Sequence, residues 1–213
     1  MKNYKSFSFL ALMFVLFISS SFGGELKNDY LNGQGYYEID GCRYEGFFID
    51  HQLNGEGKIT CDYGYLAKGL FKDDLLNGQG FESWENGTVY KGEYKEGYLN
   101  GEGEKNFADE TKEFGTFLDG DLNGFGTTIW DTGTKYEGDW VKGVGVGKAT
   151  MTYNTGVYVG QTDKTLEHGK GTFTWNDGES YTGEWVYGQR TGKGTYKWAN
   201  GDQYTGEWED GFK

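Results

Sequence analysis

The sequence predicts an all-β fold: an elongated, single-layer antiparallel meander built from stacked β-hairpin repeats. Three observations carry this. A Gly recurs at fixed spacing, aromatic residues recur two positions to either side of it, and the 213 residues include 38 Gly but no Pro. Gly at that frequency without Pro excludes collagen and argues against a Pro/Gly linker, while 17 Tyr, 15 Phe and 7 Trp supply ring area that disordered chains lack.

Residues 1–23 stand apart from the rest. Lys2 and Lys5 make a short basic start, Phe7 to Ile18 is an apolar run, and Ser19 to Gly24 are mostly small. That is the layout of a secretory signal peptide, with cleavage expected near Gly23 and export to the periplasm, the cell envelope or the extracellular space. The alternative is a retained N-terminal anchor, although the apolar run is short against the roughly 20 residues that span a bilayer. Without Lys2 and Lys5, 18 basic residues face 33 acidic ones, a net charge of −15. Nucleic-acid binding is thereby excluded as an expectation and anionic membrane binding is disfavoured, because both want Lys/Arg patches.

After a half repeat over residues 24–43, with Leu31-Asn32-Gly33-Gln34-Gly35 as its core, full units start at positions 44, 67, 90, 113, 136, 158 and 181, and a partial one at 204. The defining glycines fall two residues after each start, at Gly46, Gly69, Gly92, Gly115, Gly138, Gly160, Gly183 and Gly206. Tyr occupies the start at Tyr44, Tyr90, Tyr136, Tyr158, Tyr181 and Tyr204. An aromatic follows the Gly at Phe48, Phe71, Tyr94, Phe117, Trp140, Trp185 and Trp208. A second block, such as Gly78-Gln79-Gly80 with Trp84 or Gly169-Lys170-Gly171 with Trp175, completes each unit. Tyr-x-Gly-x-Trp has the period of two that puts its members on one face of a strand, so each unit is two short strands. Segments such as Tyr94 to Asn100, and links such as Asn86-Gly87 and Asp177-Gly178, suit antiparallel turns needing positive φ. Gly inside a strand costs about 0.5–1 kcal/mol. The cost is offset if each Gly is the socket for a ring from the neighbouring strand.

These residues resemble the MORN (membrane occupation and recognition nexus) repeat, whose unit reads approximately Tyr-x-Gly-x-Trp followed by Gly-x-Gly. The nearest copy is Tyr181-Thr182-Gly183-Glu184-Trp185 with Gly192-Lys193-Gly194. The resemblance spans Leu31 to Lys213 and implies a sheet that mediates protein contacts, self-association or lipid contact without catalysis of its own. Ala67 and Glu113 depart from the pattern in place of Tyr, and Thr162 in place of Trp, and are expected to weaken the central face.

Cys42 and Cys61 come nearly opposite each other in an antiparallel hairpin that turns near Asp50 to Asn54, which predicts a disulfide; the alternative is two small buried thiols. Asp119 to Gly124 imitates the start of a calcium loop but has Trp130 where the bidentate Glu is needed. His51 and His168 lie far apart in the array, so no nucleophilic or zinc site is expected, and neither is a cofactor, a metal or enzymatic activity. The candidate binding face is aromatic: Tyr90, Tyr94, Tyr136, Trp140, Tyr158, Trp175, Tyr181, Trp185 and Trp198. Those rings either carry a ligand or only pack on one another. The expected function is a non-enzymatic protein-interaction or scaffold module of the envelope or secreted space. Its partner is a protein, or a second copy forming a homo-oligomer through the C-terminal edge strand. The competing reading is a glycan- or lipid-binding envelope protein that uses the aromatic face.

Overall fold

The computed structural model describes residues 25–27 and 30–212; the expected signal peptide, residues 1–23, lies outside them. A short strand β1 (Glu25–Lys27) pairs with β2 (Tyr30–Ile39). From β2 onward each strand pairs antiparallel with its chain neighbours, in one open sheet of sixteen consecutive strands. Seven hairpins follow β2: β3 (Cys42–Ile49) with β4 (Gln52–Cys61), β5 (Leu66–Lys72) with β6 (Leu75–Ser83), β7 (Val89–Lys95) with β8 (Tyr98–Asn106), β9 (Lys112–Leu118) with β10 (Asp121–Ile129), β11 (Lys135–Val141) with β12 (Val144–Tyr153), β13 (Gly156–Asp163) with β14 (Leu166–Trp175), and β15 (Ser180–Val186) with β16 (Gln189–Lys197). The last strand is β17 (Gln203–Trp208). No helix occurs among the described residues.

The hairpin turns are tighter than expected. Where the sequence suggested a segment from Tyr94 to Asn100, the turn is Glu96-Gly97 alone, with φ of 51° and 82°. The same two-residue, doubly positive-φ turn recurs at Asp50-His51, Asp73-Asp74, Asp119-Gly120, Lys142-Gly143, Lys164-Thr165, Tyr187-Gly188 and Asp210-Gly211. This is the type I′ geometry that matches strand twist. Each turn is stitched to the preceding hairpin, as in Gly97 N–H to Leu76 C=O at 2.9 Å and Gly120 N–H to Leu99 C=O at 2.9 Å. Asn side chains reinforce the stitch: Asn54 Oδ1 accepts from Asp73 N–H at 3.3 Å and Asn123 Oδ1 from Lys142 N–H at 3.2 Å. The Leu-Asn-Gly triplet therefore links one hairpin to the next.

The register sets one Gly of each strand opposite one Gly of the next. Gly35, Gly46, Gly57, Gly69 and Gly80 begin a row that crosses the whole sheet to Gly194 and Gly206, interrupted only by Ala149. A bulky residue lies over this row on the inner face, and its source differs between the two halves of the chain. In the first four hairpins it is the Leu of Leu-Asn-Gly: Leu53 lies over Gly57, Leu76 over Gly80, Leu99 over Gly103 and Leu122 over Gly126. In the last three, the residues at that register are Gly145, Glu167 and Arg190, paired with Trp140, Thr162 and Trp185. The opening Tyr fills the trough instead, so that a Cβ at Gly160 or Gly171 would overlap the Tyr158 ring. Tyr136, Tyr158 and Tyr181 are completely buried. The ring that covers a Gly here belongs to its own hairpin; rings from the next strand, such as Tyr94 at Gly80 and Trp140 at Gly126, close the other side.

The exchange of Leu for Tyr also corrects the expectation for the divergent openings. Ala67 and Glu113 stand where Leu76 and Leu122 already fill the trough, so an opening Tyr is not needed there. Thr162 in turn bonds to the Tyr136 hydroxyl at 2.8 Å. Each trough Tyr satisfies carbonyls left over where the ladder shifts register: the Tyr158 hydroxyl donates to Gln161 C=O at 2.6 Å and approaches His168 C=O at 3.4 Å, and Tyr181 does the same with Glu184 and Thr191.

Cys42 and Cys61 are direct cross-strand partners on β3 and β4 and form a disulfide, with 2.01 Å between the sulfurs. It closes the first full hairpin across a sequence separation of 19. Reduction, or Cys42→Ser with Cys61→Ser, is expected to lower stability by roughly 3 kcal/mol, with hydrogen exchange accelerating in β3 and β4 first. Tyr158→Phe leaves the ring in place but strands two carbonyls, and a loss of about 1–3 kcal/mol in chemical denaturation is expected.

Candidate functional site

The inner face holds the candidate binding residues, and the structure divides them. Tyr94, Tyr136, Trp140, Tyr158, Tyr181 and Trp185 are buried, whereas Tyr90, Trp175 and Trp198 are half-buried. The buried rings are committed to one another and to backbone. Trp140 and Trp185 donate their indole N–H to Gly126 C=O at 3.0 Å and Gly171 C=O at 3.2 Å. Tyr181 meets Trp185 edge-on at 5.2 Å and Trp208 at 5.0 Å. The half-buried rings line the margin away from the type I′ turns, where Trp84 packs on Tyr90 at 4.8 Å and Trp175 on Tyr196 at 5.3 Å. The eight defining glycines, from Gly46 to Gly206, all sit in the Gly row, one on each odd-numbered strand from β3 to β17.

Charged groups that periodicity did not single out are set among these rings. Glu82 accepts from the Tyr65 hydroxyl at 2.6 Å, and Glu167, itself buried, accepts from Tyr153 at 2.5 Å. Lys105 pairs with Glu113 at 3.8 Å and donates to Gly120 C=O. Arg190 donates to Gly211 C=O at 2.8 Å with its guanidinium 4.7 Å from the Trp208 ring centre. Burial pushes Glu82 and Glu113 above the usual carboxylate range and Lys105 below the usual lysine range. Burial first, then the Glu82 charge, raises Tyr65 and Tyr94. The buried Tyr94 hydroxyl is set against the same Glu82 carboxylate. The signal for these pairs lies in register, since partners such as Tyr65 and Glu82 are 17 residues apart and meet only across neighbouring strands.

Elsewhere the sequence look-alikes resolve into repeat chemistry. Asp119-Gly120 is a type I′ turn and Asp121 begins β10. His51 lies in the first hairpin turn, its Nδ1 accepting from Leu31 N–H at 3.2 Å, and His168 lies on β14. An open hollow of about 520 Å³ lies over the Gly row, bordered by Lys91, Glu102, Glu104 and Phe114.

An open, single-layer meander whose strands meet along one row of Gly, with Ala149 the single exception, defines a β-hairpin repeat array. The MORN repeat model matches eight segments, residues 44–62, 68–89, 90–112, 114–135, 136–158, 158–180, 181–203 and 204–213, and the chain belongs to the MORN repeat family. Among solved structures, it is similar to the TCP domain of Drosophila melanogaster SAS-4 (dCPAP), solved in complex with a proline-rich motif of Ana2 (dSTIL). That match has 13% identity over 72% of this chain and 84% of that one, with a TM-score of 0.45. The TCP10 domain of Danio rerio CPAP, in complex with a STIL peptide, matches at 16% identity over 83% and 96%, with a TM-score of 0.36. No curated protein sequence matches the chain.

Glu82 yields a pH prediction. Its folded pKa is raised, so the folded state holds this proton more tightly than the unfolded chain does, and its ionisation costs stability as pH rises past the ordinary glutamate range of about 4.3. Glu82→Gln keeps an acceptor for Tyr65 and removes the charge. The variant is expected to be more stable than the parent at pH 7, with the advantage disappearing below about pH 4, as read by thermal unfolding across pH.

Proposed function

We propose that the chain is a non-enzymatic protein-interaction or scaffold module that works after export, in the cell envelope or secreted space. On this reading residues 1–23 are the leader, residues 24–43 a half repeat and residues 44–213 the array. The observation that carries it is the division of the two faces. The inner face spends most of its rings on its own packing, so the outer face and the sheet margins are what a partner meets. The Cys42–Cys61 disulfide agrees with an oxidising compartment.

The partner is a protein or a second copy of the chain. Among the described residues β17 pairs only with β16, and the Glu209–Phe212 bridge starts a turn beyond it, which makes this edge the surface for self-pairing. The half-buried row of Trp84, Trp130, Trp175 and Trp198 favours the second reading, a glycan stacked on that margin.

Residues 24–213, immobilised and exposed to native envelope extract, are expected to retain a protein saturably, and Phe125→Asp on the outer face to reduce that retention. Retention on cell-wall polysaccharide that is lost in Trp175→Ala and Trp198→Ala, with no protein captured, would move the reading to the glycan. Light scattering is expected to show a mass rising with concentration; a strict monomer throughout removes self-pairing.

A further inference from the structure

The first residue of a type I′ turn takes positive φ, a conformation that Asn, Asp and Gly adopt most readily. Asp50, Asp73 and Asp119 meet that local demand. Glu96, Lys142 and Lys164 do not, yet they hold the same position at φ of 51°, 49° and 52° with long charged side chains. Turn geometry therefore leaves their charge unexplained. Along the turn margin the sign follows a pattern: the first turn residue is acidic in the first four hairpins, at Asp50, Asp73, Glu96 and Asp119, and basic in the next two, at Lys142 and Lys164. Glu96, Asp119, Lys142 and Lys164 are exposed, and among the described residues none of them joins an ion pair. Asp119 accepts instead from the Asn100 amide at 3.3 Å, and the Lys164 ammonium lies 5.5 Å from the Tyr187 ring centre.

The sign reverses between the fourth and fifth turns, where the sheet also exposes apolar surface. Val141 and Val144 are cross-strand partners on either side of the Lys142-Gly143 turn, 53% and 40% exposed, and Leu118, 45% exposed, stands beside Asp119-Gly120. An apolar centre with charge around it is the layout of a protein interface. The chain carries both halves of the charge pattern, so a second copy is its complement. Turned end for end about a dyad between the fourth and fifth turns, that copy sets Lys142 of each chain against Asp119 of the other, and Lys164 against Glu96. Shifting it by one hairpin either way sets Asp119 or Lys142 against its own counterpart. One turn falls on every second strand, so turn residues repeat at about 9.4–9.8 Å, a spacing that two copies share by identity. Sheet twist makes the margins diverge away from the dyad, which confines the contact to the middle turns and keeps the acidic ends, Asp50 and Asp210, apart.

We propose that the turn margin of the third to sixth hairpins is an isologous interface between two copies of this chain, laid antiparallel with Leu118 of each copy against Val141 and Val144 of the other and two pairs of opposite charges on either side. The proposal rests on the protein-interaction reading above, takes a second copy as the partner, and places it at the turn margin instead of at β17.

The test is sedimentation equilibrium of the purified chain and two charge-reversed variants. Glu96→Lys with Asp119→Lys makes all four middle turns basic, and Lys142→Glu with Lys164→Glu makes them all acidic. Each introduced residue type already occupies an equivalent turn, so the hairpins are retained, as an unchanged circular dichroism spectrum checks. Either variant alone is expected to self-associate roughly tenfold more weakly than the parent or worse, because like charges then face each other. An equimolar mixture of the two is expected to associate at least as tightly as the parent. Lys58→Glu with Lys68→Glu makes the same change in net charge as the acidic variant, on exposed residues of β4 and β5 away from the turns, and is expected to leave association unaltered. Equal weakening by that control means net charge alone and overturns the proposal. So does parent-like association in either reversed variant, a mixture no tighter than its components, or a parent that stays monomeric. If the immobilised chain still captures a protein after any of these, the interaction reading stands without this interface; if capture fails too, both fall.

Discussion

The close approach of backbones along the Gly row is the constraint on which the molecule depends. A single layer of sheet has no second layer to bury its inner face, so the side chains on that face must bury one another. They do so by lying down along the sheet, and a ring can lie flat only where the backbone beneath it carries no Cβ. The Gly at each crossing, Gly171 under Tyr158 for instance, costs backbone entropy on folding and is repaid by the ring it admits. Stability is therefore shared between neighbouring hairpins, as repeat architectures require.

Two solutions to the same packing problem divide the chain. In the first half Leu53, Leu76, Leu99 and Leu122 supply the filling and the opening position is free to vary, which accommodates Ala67 and Glu113. In the second half those leucines are gone, and Tyr136, Tyr158 and Tyr181 enter the trough and use their hydroxyls on carbonyls that a Leu side chain has no means of satisfying. The identity of one residue per hairpin decides which arrangement forms. The units from Tyr136 onward are thus a distinct packing class, and the variation of opening residues in the earlier units follows from the leucines.

The fold was legible in the sequence because its signal is redundant. A Gly at a fixed position in eight starts places strands and turns even where one copy has drifted, and the hairpin that follows from it sets Cys42 nearly opposite Cys61. What was not legible is register across different units. The Leu-Asn-Gly triplets read as turn chemistry, although Leu99 fills a trough and its carbonyl holds the next turn. The outcome for the aromatic stripe was likewise hidden, because period two gives the face of Tyr136 and Tyr90 but not the depth. Tyr136 is fully buried and Tyr90 half-buried for a reason that lies elsewhere in their hairpins: Gly145 in one, Leu99 in the other.

A one-layer fold also changes what a repeated surface residue signifies. As in other antiparallel sheets with one solvated side, the inner face is spent on packing and the outer face is released from it. Some of its regularities still have structural causes. Thr172 and Thr182, and Thr195 and Thr205, are cross-strand neighbours whose hydroxyls meet at 2.9 Å, and β-branched residues suit a half-exposed strand. The large apolar residues beside the turns have no such cause, since charged residues such as Lys72 and Asp163 occupy the paired positions without disturbing the hairpin. At that position the hairpin's own packing leaves the choice of side chain open.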